Sequence, residues 1–389
     1  HGSRGIEGWA AILPAPVRPT GDGSGNPAPL AAQLRLDTPE LFRLDAAPGR
    51  TREVPTSLPL VPMPSTPCRL LDPDRPMDGP GCLPLLPAVI EELERLAAGD
   101  VCRHRLRLLA HADPILCAQL LAATDWGMGS RLSIHACISQ WTHGQLVAFG
   151  RRLLGDVEES RRTLSLLGDE GRSLWTHSVE TAVTARFLSE ELWFGSASFE
   201  EAYLVGLLHD LGRFVLATGS PDLVHEVDAS RWTTPLSLLA AEREIVGQDH
   251  AQLGFLHGMA LGLPDRLLHL ILRHHDYQRP DPALADAQES ELLTCVQMAD
   301  FFSVLVTLEP RVPELAEEEL AAEIVARCVH PSWPAPPVDA KSLARMNPRI
   351  LAEVEEYLEL LGLGGTGAEA PPRVSTWTWQ AAAPDRRSA

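Results

Sequence analysis

Seven residues in the middle and later part of the chain have the types and grouping to hold a metal ion: His177, His209, Asp210, His250, His274, His275 and Asp300. Histidine and aspartate are rarely set on core-facing positions unless they are paired or bind an ion. His209 and Asp210 close a helical segment whose other apolar positions read as buried. Adjacent helical residues point about 100° apart, so such a pair can grip neighbouring sides of one ion or bridge two. A mixed imidazole and carboxylate set suits manganese, iron, nickel or zinc rather than magnesium or calcium. One histidine alone on such a helix is ordinarily a satisfied core or surface residue. A set in which each position ends or opens a helical segment points to a shared metal or polar centre.

The elements that must position these residues read as helices. Between 85 and 96 the apolar positions 85, 86, 89, 90, 93 and 96 recur at three and four, which makes one apolar face. Leu106, Leu108, Leu109, Ile115, Leu116, Leu120 and Leu121 keep that spacing, with a break at Asp113-Pro114. That dipeptide starts a helix, Asp as N-cap and Pro at the first helical position. Phe199, Ala202, Tyr203, Gly206 and Leu207 predict another amphipathic helix, stopped at Gly212. Val354, Tyr357, Leu358 and Leu361 form the inner face of a last one. No alternation of period two extends over five residues, so an all-α protein without internal repeats is expected.

Composition sets the frame. Hydrophobic residues make up 45% of the 389 and charged residues 22%, as in globular proteins. The net charge of −19 argues against phosphate-backbone binding and against an anionic membrane surface. No run approaches the roughly 18 apolar residues that span a bilayer, so no membrane segment is expected. The seven cysteines are scattered with no Cys-x-x-Cys, which fits a reducing cytoplasm better than a disulfide framework or zinc ribbon. Fifteen of the 33 prolines fall in residues 1–80, so that stretch reads as largely disordered, with 41–44 and 58–61 as docking snippets. The glycines at 362, 364, 365 and 367 lack the strand and helix of a dinucleotide loop and read as a flexible tail. No Gly-x-Ser-x-Gly elbow or Walker loop is present. Arg103, Arg105, Arg107, Arg151, Arg152, Arg161 and Arg162 read as solvated helix faces.

Several segments in combination resemble the HDOD family, bacterial signalling relatives of HD-type metal phosphohydrolases. They are Leu83-Pro84-Leu85-Leu86-Pro87, Ala112-Asp113-Pro114-Ile115-Leu116, Trp175-Thr176-His177-Ser178 and Gly206-Leu207-Leu208-His209-Asp210-Leu211-Gly212. Glu244, Gly247, Asp249-His250-Ala251, Gly254, Leu263-Pro264 and His274-His275 complete the likeness, which covers about residues 82–276. The resemblance implies an HD-like helical bundle with an N-terminal helical subdomain. It also implies a ligand set of His177, His209, Asp210 and Asp300, to which two-metal members add histidines matching His250 and His274 or His275. Some features depart from the HD-GYP relatives that hydrolyse cyclic dinucleotides. Asp276-Tyr277-Gln278-Arg279-Pro280 stands in place of a Gly-Tyr-Pro segment, and Arg213 stands where those relatives have lysine. Arg213 is the candidate catalytic residue, a planar fork for a phosphate rather than a point charge. Ser173 replaces the glutamate of three-metal members, which implies at most two ions. Thr124-Asp125-Trp126-Gly127-Met128-Gly129 replaces the usual Asn-Ser-rich turn.

These readings combine into an expected organisation: 1–80 Pro/Gly-rich, 81–280 the HDOD domain, 281–362 a helical extension packing on the HD-like core, and 363–389 a tail. The expected function is a regulatory module that acts on signalling proteins, not on nucleic acid or membrane, with one or two ions of manganese, iron, nickel or zinc. A metal-dependent phosphohydrolase or phosphodiesterase is the alternative, and a structural helical scaffold the second alternative.

Overall fold

Leu85 and Leu86 lead into α1 (Pro87–Ala98), whose Val89, Ile90, Leu93 and Leu96 form one buried face. The structure is a computed structural model that describes residues 83–364, except 127–131, 156, 193–198, 231, 233, 278–286, 310, 334 and 335. The expectations for 1–80, its two snippets, 127–129, 278–280 and nearly all of the tail lie outside the described residues. Among the described residues there are 15 α-helices and no strand.

The predicted break at 113–114 separates α2 (Arg103–Ala112) from α3 (Pro114–Ala122). Asp113 accepts from the Leu116 N–H at 2.6 Å, and Pro114 opens the helix. Its second oxygen accepts from Trp175 Nε1 at 2.9 Å, so the same cap ties this region to the helix that carries His177. α4 (Ile134–Gln140) and α5 (His143–Leu154) complete this part, with α5 against α1 and α2 against α3 and α4.

The second part is organised around α6 (Val157–Leu192), a helix of 36 residues. Against it pack α7 (Phe199–Leu208), α13 (Ala287–Leu308) and α15 (Ala340–Leu360). Between them run α8 (Leu211–Gly219), α9 (Pro221–Ala229), α10 (Pro235–Ile245), α11 (His250–Leu261) and α12 (Asp265–Arg273). α14 (Glu317–Arg327) follows a short 3-10 turn and packs on α15.

Three expectations change. The segment at 199–207 was expected to be amphipathic, yet α7 is buried continuously from Glu201 to Leu208, because α3, α6, α12 and α13 surround it. Gly212 does not stop a helix: α7 ends at Leu208, and Gly212 is the second residue of α8. Among the described residues one segment, Glu289–Leu308 within α13, is long and apolar enough to cross a membrane, but 72% of that window is buried inside the fold. Its apolarity is that of a core helix packed on α6 and α7. The arginine faces are solvated as expected, with Arg103, Arg151, Arg152, Arg161 and Arg162 exposed, and they carry local pairs. Arg105 reaches the buried Glu92 at 2.9 Å, Arg161 and Arg162 pair with Glu158 and Glu159, and Arg103 donates to the Ile138 and Trp141 carbonyls.

One buried group makes the fold sensitive to acid. His257, 6% exposed on α11, is pushed down to about 4 by burial. The unfolded chain protonates this imidazole near its ordinary value, so the unfolded state binds the extra proton first. The stability that neutral His257 contributes is therefore present above pH 6.5 and is lost as the pH falls toward 4. Between pH 7 and pH 5 the loss is about 2 kcal/mol. Urea unfolding of wild type and His257→Leu at both pH values should show that much less acid sensitivity in the variant. Equal slopes would remove His257 from the account.

Candidate metal centre

Five elements bring the seven residues to one place. His177 lies in the middle of α6, and His209 and Asp210 form the turn between α7 and α8. His250 is the first residue of α11, fixed there by Asp249, whose side chain accepts from the Gln252 N–H. His274 caps the end of α12, and His275 follows it. Asp300 sits in the middle of α13. The expectation that each position ends or opens a helix thus fails for His177 and Asp300, because α6 and α13 run the length of the core and present single residues inward.

Gly212 is what allows α8 and α11 to meet. A Cβ there would lie 1.8 Å from the His250 carbonyl oxygen and 2.6 Å from the Gly254 N. This close backbone approach, open to glycine alone, seats His250 beside Asp210. His250 Nε2 then lies 3.1 Å from Asp210 Oδ1, 3.2 Å from His274 Nε2 and 2.9 Å from His275 Nε2. On the other side His177 Nε2 lies 3.2 Å from His209 Nε2, 3.3 Å from Asp300 Oδ1 and 3.6 Å from Asp210 Oδ2. Asp210 belongs to both groups, with Oδ2 facing His177 and Oδ1 facing His250 and, at 3.7 Å, His209.

The far nitrogen settles the tautomer of each ring that faces an acceptor-only group. His209 Nδ1 faces the Gly206 carbonyl at 2.7 Å and His274 Nδ1 the Ile271 carbonyl at 2.6 Å. A carbonyl only accepts, so both rings carry hydrogen on Nδ1 and a bare lone pair on Nε2. His250 Nδ1 faces Glu242 Oε2 at 2.7 Å, His275 Nδ1 the Tyr277 hydroxyl at 2.7 Å, and His177 Nδ1 the Ser303 hydroxyl at 2.9 Å. Ser303 in turn donates to the buried Glu180. Five Nε2 atoms therefore converge on two carboxylates.

Electrostatics follow from this packing. Burial pushes His274 down to about 3, lowers His209 and lowers His275 well below its ordinary range. Burial also opposes charge on Asp210, but His209, His250 and His177 hold its carboxyl well below the usual range. For Asp300 the opposing partner is His177, and its Oδ2 is buried without a hydrogen-bond partner. His250 goes the other way. Burial disfavours its charge, yet the carboxylates of Glu242 and Asp210 push it up to about 9. Lone pairs 2.9–3.2 Å apart repel unless a cation stands among them. The donor set, the shared Asp210 and the orphaned Asp300 oxygen all fit divalent ions.

Sequence reasoning missed the residues behind the ligands: Glu242, Glu180, Ser303 and Tyr277. Only Glu242 left a signal, since it falls on the buried stripe of Leu238, Leu239 and Val246, where an acid is out of place. Arg213 donates its backbone N–H to the Asp210 carbonyl, and its guanidinium lies 3.9 Å from Asp228. Burial opposes its charge, and Glu242, Asp210 and Asp228 hold it protonated.

Residues 156–277 match the HDOD domain family. The chain carries an HDOD domain. That stretch contains six of the seven converging residues, and Asp300 is supplied from beyond it. An uncharacterised protein of Treponema pallidum is 27% identical over 202 residues, half of this chain, and the match spans 38% of that relative's length. Among solved structures, the MmoQ response regulator from Methylococcus capsulatus is 22% identical and covers 65% of this chain and 100% of its own, with a TM-score of 0.45. An HDOD domain protein of unknown function from Geobacter sulfurreducens is 21% identical, covers 72% and 93%, and has a TM-score of 0.36.

Proposed function

We propose that the HDOD domain is a metal-loaded regulatory module that acts on signalling proteins. The observation that carries this reading is the convergence of five Nε2 atoms on Asp210 and Asp300, with their other nitrogens already committed. His177, His209, Asp210 and Asp300 would hold one ion, and Asp210, His250, His274 and His275 a second. When bound, such ions supply Lewis-acid polarisation of a coordinated oxygen. The protein's own part is to orient the ligands and to keep them dry. Glu242, Tyr277, Ser303 and the Gly206 and Ile271 carbonyls hold the rings, while burial of His209, His250 and His274 excludes water.

A phosphodiesterase is the second reading, favoured by the shared carboxylate of Asp210 between the two groups. It also needs groups that hold a substrate phosphate in line, and misplacing these by about 1 Å costs on the order of a hundredfold. Arg213, the cation the sequence offers for that task, lies 3.9 Å from Asp228 and in the field of Glu242, Asp210 and Asp228. The −19 charge adds repulsion for an anionic substrate. The test is to reconstitute the full chain with manganese, nickel or zinc and follow cyclic dinucleotides and simple phosphodiesters by chromatography. Turnover below about 0.1 per second is expected, low for an enzyme. Faster turnover that disappears in Asp210→Ala would move the domain to the hydrolases.

A further inference from the structure

We infer that the two halves of the centre are chemically unequal, the His250 half taking zinc first and the His177 half keeping a place for manganese. The inference rests on the metal-centre reading above and concerns how that centre discriminates between ions. The first half, His177, His209, Asp210 and Asp300, offers two nitrogens and two carboxylates. The second, His250, His274, His275 and the same Asp210, offers three nitrogens and one shared carboxylate. Imidazole suits zinc, whereas carboxylate oxygen suits manganese, and a given nitrogen-rich site prefers zinc strongly. Three histidines and one aspartate also make the four-ligand donor count that zinc commonly takes.

The surroundings sharpen the difference. In the second half, His250 Nδ1 lies 2.7 Å from the Glu242 carboxylate, which also accepts the His250 N–H at 2.9 Å. An anionic acceptor behind an imidazole raises the basicity of its other nitrogen, here the one facing the site. His177 in the first half leans on the Ser303 hydroxyl, which in turn donates a hydrogen bond to Glu180. Exposure does not separate the halves: the side chains of His250, His274 and His209 are each 1% exposed, His177 is 17% exposed, and His275 is half-buried. The nitrogen-rich half thus has three imidazoles, one of them backed by a carboxylate, and the other half has two imidazoles and a second carboxylate.

The experiment uses the full chain, stripped with a chelator and then given about one equivalent each of zinc and manganese. After desalting, elemental analysis should find about one of each ion per chain. The electron paramagnetic resonance spectrum should show the manganese immobilised rather than free. Stepwise zinc titration of wild type should give two affinities at least about tenfold apart. His275→Gln, which removes a ligand, should weaken zinc retention by more than the about 10–100-fold that follows loss of an orienting residue and leave manganese in place, and Asp300→Asn should do the reverse. The wild-type arms do not depend on either variant folding. Expulsion of manganese by the first equivalent of zinc, two equal zinc affinities, or variants that affect both ions alike would overturn the inference and leave the centre standing. A wild-type chain that binds neither ion overturns the inference together with the reading it rests on.

Discussion

Gly212→Ala is expected to unseat the centre without touching any ligand. The added Cβ would fall 1.8 Å from the His250 carbonyl oxygen, 2.7 Å from its carbonyl carbon and 2.6 Å from the Gly254 N. All three are backbone atoms of α11, so no flexible side chain can yield. α8 and α11 must separate, and His250, the first residue of α11, must leave Asp210, which immediately precedes α8. Overpacking a tight core usually costs about 1–3 kcal/mol, and a clash with backbone on this scale belongs at or above the upper end. Gly144→Ala is the matched control. Nothing lies within 4 Å of a Cβ at that position on α5, so helix propensity alone should make the change neutral or stabilising by up to about 1 kcal/mol. Denaturant unfolding and metal content of the two variants decide the matter. A Gly212→Ala protein as stable as wild type, with full metal content, would show that the helices do not cross as described.

Much of this arrangement was legible in the sequence, and what was not has a common physical cause. The apolar spacing at 85–96 and the Asp113-Pro114 cap each depend on neighbours within one turn, and both stand in the fold as expected. The seven site residues could be named because buried imidazoles and carboxylates are costly unless they meet. Gly212 was misread as a helix stop because its role is set by α11, some forty residues away, and not by its own segment. α7 was misread as amphipathic for the same reason. Its second face is covered by α13 and α12, which a local window cannot see. Ser303 and Glu180 are separated by 123 residues and meet only when α13 lies on α6. Residues whose work is done across helices leave no periodic trace. Glu242 is the exception, since an acid on a buried stripe is anomalous even before its partner is known.

Asp210→Asn is expected to empty both halves of the centre at once, unlike the loss of any other single ligand. Asp210 alone belongs to both groups, with Oδ2 3.6 Å from His177 Nε2 and Oδ1 3.1 Å from His250 Nε2. The amide keeps the side chain's size but removes the charge and replaces one acceptor with a donor group that cannot ligate. Residues that merely orient a ligand cost about 10–100-fold in metal affinity when changed, so a shared ligand should cost more than that for each ion. A readout follows from mass action. Metal that binds only the folded chain at about a hundred times its dissociation constant stabilises it by about 2.7 kcal/mol per site. Wild type should therefore resist urea more when manganese or zinc is added. Asp300→Asn should keep part of that gain, because His250, His274 and His275 still converge on Asp210. Asp210→Asn should keep none, even at metal concentrations that saturate wild type. A metal-induced gain in Asp210→Asn equal to that of wild type would mean that the ions, if held, are not shared through this carboxylate. Asp210 would then be the counter-ion of a protonated His250, in the 3.1 Å contact the two already make.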